Sequence, residues 1–269
     1  MKKRDPLFWA GVGFLILVAL FAVFGPNLRH QYLTLGDTTH DLPNANHWLG
    51  TDELGRDIFA RLAHGGRLSL MIGLIVQSFA ITFGIVMGTV GVFAPTWIRT
   101  PVLRFTDAMF AFPDLLIALL IIGLWSPGVI PVIVALSITS WPGMARLVRS
   151  QLVSLKDREY VVAARAAGAS TTYIVTRHIL PQMVGIILAV AMIDLAGTIL
   201  AESTLSFIGI GIQPPTPSWG AMINNARGEM QSYPVPLIWP CLVLSMTIFA
   251  LNFVGDGLRA RLDPKSGRS

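Results

Sequence analysis

Residues 159–181 read EYVVAARAAGASTTYIVTRHILP, a polar, arginine-bearing stretch wedged between two apolar runs of membrane length. A connection that only reversed the chain would need a handful of residues. This one is long enough to form an element that touches a partner. Ala163, Ala164, Ala166 and Ala167 lead to Gly168, which can end a helix by entering the left-handed region open to glycine. Ser170 is placed to cap a second short helix running through Tyr173 to His178. Pro181 marks the next boundary, because the residue before a proline is driven out of the helical region. The expectation is helix, tight turn, helix.

The flanks set the class. Of 269 residues, 53% are hydrophobic and 13% charged, and the mean hydropathy is +0.63. That balance excludes an ordinary soluble domain and predicts an all-α integral membrane protein. The formal charge of +5 does not point to nucleic acid, because Lys and Arg do not cluster with aromatics. The single cysteine, Cys241, sits in an apolar run, where it cannot form an internal disulfide and reads as a small buried hydrophobe.

Apolar runs long enough to cross about 30 Å of hydrocarbon predict six transmembrane helices, at Leu7 to Phe24, Leu68 to Phe93, Ala108 to Trp125, Val129 to Met144, Pro181 to Ala201 and Val235 to Gly255. Pro131 and the Trp141-Pro142-Gly143 group interrupt the fourth. Lys2, Lys3 and Arg4 precede the first run as in a signal peptide, but no small-x-small cleavage site follows, so it reads as a retained anchor. With both termini cytoplasmic, 15 of the 20 basic residues fall inside, and only Arg29, Arg56, Arg61, Arg67 and Arg227 fall outside. The positive-inside rule then places residues 156–181 in the cytoplasm and makes the segments 29–67 and 202–234 outer caps.

The 159–181 stretch resembles the EAA loop of ABC-importer membrane subunits, Glu-Ala-Ala, three residues, Gly, nine residues, Ile-x-Leu-Pro. Val162 stands for the first Glu and His178 for the Ile, while Ala163, Ala164, Gly168, Leu180 and Pro181 match. HWLGTDELGRDIFARLAHGGRLSL (47–70), FAFPDLLIALLI (110–121), ESTLSFIGIGIQPPTPSWG (202–220) and LNFVGDGLRARLDP (251–264) are similar, in order, to the C-type permease of dipeptide and oligopeptide importers. The resemblance implies a type I ABC-importer (MetI-like) permease fold in a bacterial inner membrane. It divides the chain into an anchor helix and extracytoplasmic segment (1–65), a permease core (66–255) and a cytoplasmic tail (256–269). It further implies a second homologous permease, two ATP-binding-cassette ATPase subunits and an extracytoplasmic substrate-binding protein as partners. Coupling to the ATPases would run through Glu159, Ala163, Ala164, Arg165, Gly168, Ala169 and Ser170, with small side chains letting the backbone enter a cleft. The solute would be a di- or oligopeptide, or alternatively a nickel chelate, glutathione or another small molecule.

The chain itself is expected to hold no catalytic site, cofactor or metal. A phosphate-binding loop needs Gly-Lys-Ser/Thr, and none of Lys2, Lys3, Lys156 and Lys265 follows a glycine. Asp194 lies within an apolar span, where a carboxylate is costly unless paired or hydrated. It either lines the solute path or hydrogen-bonds a neighbouring helix. Asp114, beside Pro113, poses the same choice. TDELGRD (51–57) lacks EF-hand spacing and reads as a folded cap, a docking surface or a structural turn, and QPPTPSW (213–219) stiffens the outer mouth. The scattered His40, His47, His64 and His178 make a poor metal site. A rival reading is a stand-alone secondary transporter with Asp194 as its proton or cation site, which leaves the 159–181 stretch without a purpose.

Overall fold

The computed structural model describes residues 5–28 and 31–262. Expectations resting on Lys2, Lys3, Arg4, Arg29, Lys265 and Arg268 lie outside these. The described residues form the helices α1 (Pro6–Phe24), α2 (Ile58–Phe93), α3 (Thr96–Met109), α4 (Asp114–Trp125), α5 (Val129–Leu155), α6 (Glu159–Ala166), α7 (Thr171–Tyr173), α8 (Leu180–Ile208), α9 (Trp219–Ala226) and α10 (Val235–Leu262). Five helices, α1, α2, α5, the continuous α7–α8 rod and α10, are long and apolar enough to span a membrane. The pair α3 and α4 gives a sixth span only if it counts as one helix bent by 91°.

That bend corrects the third expected span. Ala108 belongs to α3, the chain breaks at Phe110 to Pro113, and α4 has only 12 residues, about 18 Å of rise against about 30 Å of hydrocarbon. Pro113 disfavours the helical region at Phe112, and its own extended backbone starts α4 in a new direction. The fourth span is corrected in the opposite sense. α5 runs unbroken past Pro142 to Leu155. Pro131 falls in its first turn, where a missing N–H costs nothing. Beyond Pro142, α5 is clasped by glycines of α2. A β-carbon at Gly84 would meet Met144 Cβ at 2.7 Å, and one at Gly88 would meet the Ala145 carbonyl at 2.8 Å. That close packing supports α5 where Pro142 interrupts its hydrogen bonding.

The boundary expected at Pro181 is also absent. Ile174 to Ile179 form a π-helical turn in which Leu180 N–H reaches back to the Val175 carbonyl. This widened turn carries α7 directly into α8, with Pro181 in the first turn of α8 and Leu180 fully helical. At the other end α8 continues to Ile208, through residues expected in the outer loop, and Gly209 at φ +88° terminates it.

Two buried clusters fix the ends of the bundle. Met144, Val148 and Leu152 of α5 meet Val161 of α6, Ile174, Val175 and Ile179 of the π turn, and Met183 of α8. At the opposite end Ile58 and Leu62 of α2, Leu195 and Ile199 of α8, Leu251 of α10 and Trp219 of α9 pack together. Residues 31–57 and 209–234 close over this second end. His40 Nε2 lies 2.8 Å from Glu229 Oε2 and its ring stacks on Tyr233. The TDELGRD segment is a tight ionic knot. Asp52 pairs with Arg56 at 2.7 Å and with the buried Arg61 of α2 at 3.3 Å, while Asp57 caps α2 through Ala60 N–H.

Candidate functional site

The expected coupling residues form a hairpin standing on a buried base. Val161 is fully buried, whereas Glu159, Ala163, Arg165 and Gly168 are exposed and Ala164 and Ala169 half-buried. α6 ends as its alanines and glycine foretold. Ala167 N–H donates to the Ala163 carbonyl and Ala169 N–H to that of Ala164, both at 3.0 Å, and Gly168 takes φ +80°. Ser170 caps α7 by accepting from Tyr173 N–H at 3.2 Å. A β-carbon built at Gly168 meets nothing within 4 Å. Among the described residues, then, space is open around Gly168 itself, while Ala164 and Ala169 pack against the base. A groove of about 1120 Å³ opens beside the base, bordered by Gln151, Arg158, Glu159, Tyr160, Gln182 and Arg259.

The two expected pathway carboxylates come together. Asp114, at the start of α4, and Asp194, mid-α8, border one cavity of about 500 Å³, with Met109 and Phe110 of the α3–α4 elbow, Thr139, Ser140 and Gly143 of α5, and Thr198 of α8. The elbow supplies a wall that a straight third span would not. Asp194 is half-buried, and no side chain among the described residues hydrogen-bonds or ion-pairs with its carboxylate. Asp194 borders this cavity and makes no side-chain bond to a neighbouring helix among the described residues. The volume lies in the range of small-molecule sites.

Sequence reasoning passed over Glu202. It is fully buried two turns beyond Asp194 on α8. Ser69 Oγ of α2 donates to Oε2 and Ser206 Oγ to Oε1, each at 2.9 Å, and Ser203 Oγ lies 3.4 Å from Oε2. Ser206 Oγ also accepts from Ile212 N–H at 3.0 Å, so the carboxylate ties α2, α8 and the following loop together. α9 is seated beside it. Trp219 Nε1 donates to the Leu62 carbonyl at 3.2 Å, and a β-carbon at Gly220 would collide with the Ser203 carbonyl. Gln77 of α2 was also passed over; it is buried with neither amide atom hydrogen-bonded among the described residues.

Comparison with known proteins places this geometry in a family. The model of the binding-protein-dependent transport system inner membrane component matches residues 80–268. The dipeptide transport system permease protein of Bacillus subtilis (strain 168) is 38% identical over 269 residues, 99% of this chain and 84% of that protein. The oligopeptide transport system permease protein of the same organism is 36% identical over 98% of this chain and 87% of its own length. The glutathione transport system permease protein of Escherichia coli O157:H7 is 39% identical over 93% and 83%. Among solved structures, an inward-facing MetNI methionine ABC transporter aligns with a TM-score of 0.62 at 19% identity, over 74% of this chain and 95% of that one. An amino acid ABC transporter with histidines aligns at 0.58 and 16%, over 75% and 94%.

Proposed function

The chain belongs to the family of binding-protein-dependent transport system inner membrane components, and we propose that it is a permease subunit of an ATP-binding-cassette importer for di- or oligopeptides. In this reading residues 156–181 lie in the cytoplasm with both termini, and the 31–57 and 209–234 cap faces outward. A second homologous permease completes the path, two ATPase subunits hydrolyse ATP, and an extracytoplasmic binding protein delivers solute to the cap. Residues 1–65 serve as anchor and outer segment, 66–255 as the permease core and 256–269 as tail.

One observation carries the proposal: the 159–170 hairpin is rooted in buried apolar contacts to α5 and α8 but has a tip of small residues open to a partner. A push on that tip travels through Val161 and the π turn into α8, the helix that carries Asp194. Interiors packed this closely transmit displacement rather than absorb it. Glu159 and Arg165, both exposed on α6, are available for ionic contacts that fix register in the ATPase cleft. ATP-driven closure at the tip would then switch access to the cavity between the two ends.

Two carboxylates without a basic partner among the described residues favour a solute carrying a positive charge, and a peptide's terminal ammonium supplies one. The dipeptide, oligopeptide and glutathione transport named for the relatives is consistent with that chemistry; a nickel chelate, glutathione or another small solute is the alternative. A stand-alone transporter would use Asp194 equally well but would leave the hairpin idle.

Sidedness tests the assignment. In a Cys241→Ser background, single cysteines replace the exposed Thr38, Gln213 and Ser154, and an impermeant thiol reagent is applied to intact cells. Labelling at Thr38 and Gln213 but not at Ser154 is expected. Labelling at Ser154 would put the hairpin out of reach of any cytoplasmic ATPase and end the importer reading.

A further inference from the structure

One guanidinium spans the start of the break between α3 and α4. Arg146 of α5 pairs with Asp107, in the last turn of α3, at 3.5 Å, and lies over the ring of Phe110, the first residue past α3, 3.7 Å from its centroid. The two ends of the elbow are attached differently. α4 is held by burial, with Ala118 and Ile122 packed against Val132 and Ala135 of α5. On the α3 side Met109 packs against the cluster of Ala80, Trp141 and Ala145, and Phe105 stacks on Trp141. Phe110, however, is 47% exposed, and the side chains of Arg146 and Asp107 are exposed by 57% and 59%. The location of these contacts is specific. On α5 the cavity residues Thr139, Ser140 and Gly143 are followed by Arg146 and then by Val148 and Leu152 of the cluster beneath the hairpin, while on α8 Met183 and Ile187 of that cluster precede Asp194 and Thr198. Arg146 and Phe110 therefore stand between the cavity and the hairpin end of the bundle.

A wall fastened by burial stays put, whereas exposed ion pairs and cation–π contacts are weak enough to break and reform within a transport cycle. We propose that Arg146 is a positioning residue that latches the elbow shut across the hairpin end of the Asp114–Asp194 cavity, and that the cavity opens toward that end when Phe110 and Asp107 are released from it. The inference rests on the reading of the hairpin as the coupling element. A displacement of the hairpin reaches α5 through Val148 and Leu152, both fully buried in the shared cluster, and Arg146 lies only two residues before Val148. No elbow residue belongs to that cluster, so the same push changes the separation of guanidinium and ring. Met109 and Phe110 line the cavity, and their movement turns a slide of α5 into access to the solute site.

The test reads sided access to the cavity in the assembled complex. Ser140, on the cavity wall, is replaced by Cys in a Cys241→Ser background, and its rate of reaction with an impermeant thiol reagent is measured in intact cells and in inside-out vesicles. The hairpin side is whichever preparation labels a Ser154→Cys control. Arg146→Gln removes both exposed contacts, so labelling from the hairpin side should rise about tenfold, with the rate from the other side unchanged. Arg146→Lys keeps the pairing with Asp107 but not the planar stack on the ring and should give a rise of about threefold. Should Arg146→Gln fail to assemble, Phe110→Leu, which removes the ring and leaves the ion pair, is expected to give a similar rise. The Arg146→Gln/Phe110→Leu double variant should exceed Arg146→Gln by less than about twofold, because the stack is lost only once. Unchanged labelling from the hairpin side in Arg146→Gln or Phe110→Leu overturns the proposal. An equal rise from both sides, the mark of general loosening, overturns it as well. A Ser154→Cys control labelled only in intact cells would end the importer reading instead, and the latch would still stand or fall on the difference between variants from that side.

Discussion

Asp194 and Glu202 are two carboxylates on one helix, about 12 Å apart along its axis, and they have opposite surroundings. Glu202 is fully buried and saturated by serine hydroxyls from α2 and α8. Asp194 is half-buried beside a cavity of about 500 Å³ and has no side-chain partner among the described residues. Burial alone would rank Glu202 as the functional group. Hydrogen-bond satisfaction ranks them the other way, because a saturated carboxylate has no capacity left for a solute whereas an open one does. Glu202 holds the helix in place, and Asp194 is the carboxylate that helix leaves open to the cavity.

The contrast is broken or sharpened by substitution. The largest effect is expected at Glu202→Ala, which strands the Ser69 and Ser206 hydroxyls in a dry interior. Stranded buried groups of this kind cost about 3 kcal/mol, a fall of roughly 5–10 °C in the melting midpoint of the detergent-purified protein. An unchanged midpoint would show that the serine cage is not structural. Ser69→Ala removes only the bond to α2 and should cost about 1 kcal/mol. In a double-mutant cycle the Ser69→Ala loss should largely vanish once Glu202 is already Ala, and full additivity would mean that the two do not act as a pair. Asp194→Asn should move the midpoint least, by under about 0.5 kcal/mol, because no bond is lost. Its effect belongs to transport, where loss of a charge-assisted contact to the solute should lower uptake by roughly tenfold. A variant with full uptake and a lowered midpoint would reverse the roles assigned to the two acids.

How much of this was legible depended on where polarity interrupts apolar sequence. Asp194 stands alone in AVAMIDLAGTIL and announced itself. Glu202 opens ESTLSF, where a polar run read as the start of a loop. The helix survives there because the polar groups satisfy one another, with Ser206 bonding back to Glu202 one turn away and Gly209 providing the true stop. The spacing Glu202, Ser203, Ser206 followed by Gly209 was the available signal. The hairpin was legible in detail, since Gly168 and Ser170 act through local backbone chemistry. Prolines were the weak point. Pro113 breaks the chain, while Pro142 and Pro181 do not. The difference lies in tertiary support, from the α2 glycines behind Pro142 and the π turn ahead of Pro181, and no local pattern encodes it.

Coupling through the hairpin is the central claim, and Gly168→Arg in the reconstituted complex tests it most directly. Among the described residues nothing lies within 4 Å of the added β-carbon. The left-handed backbone adds only about 1 kcal/mol of strain, so assembly and membrane insertion should persist. Any larger effect must then arise against a partner. The account predicts that the variant co-purifies with its partners yet takes up no solute, with ATP hydrolysis no longer stimulated by the solute-loaded binding protein. Normal stimulation together with normal uptake would contradict it.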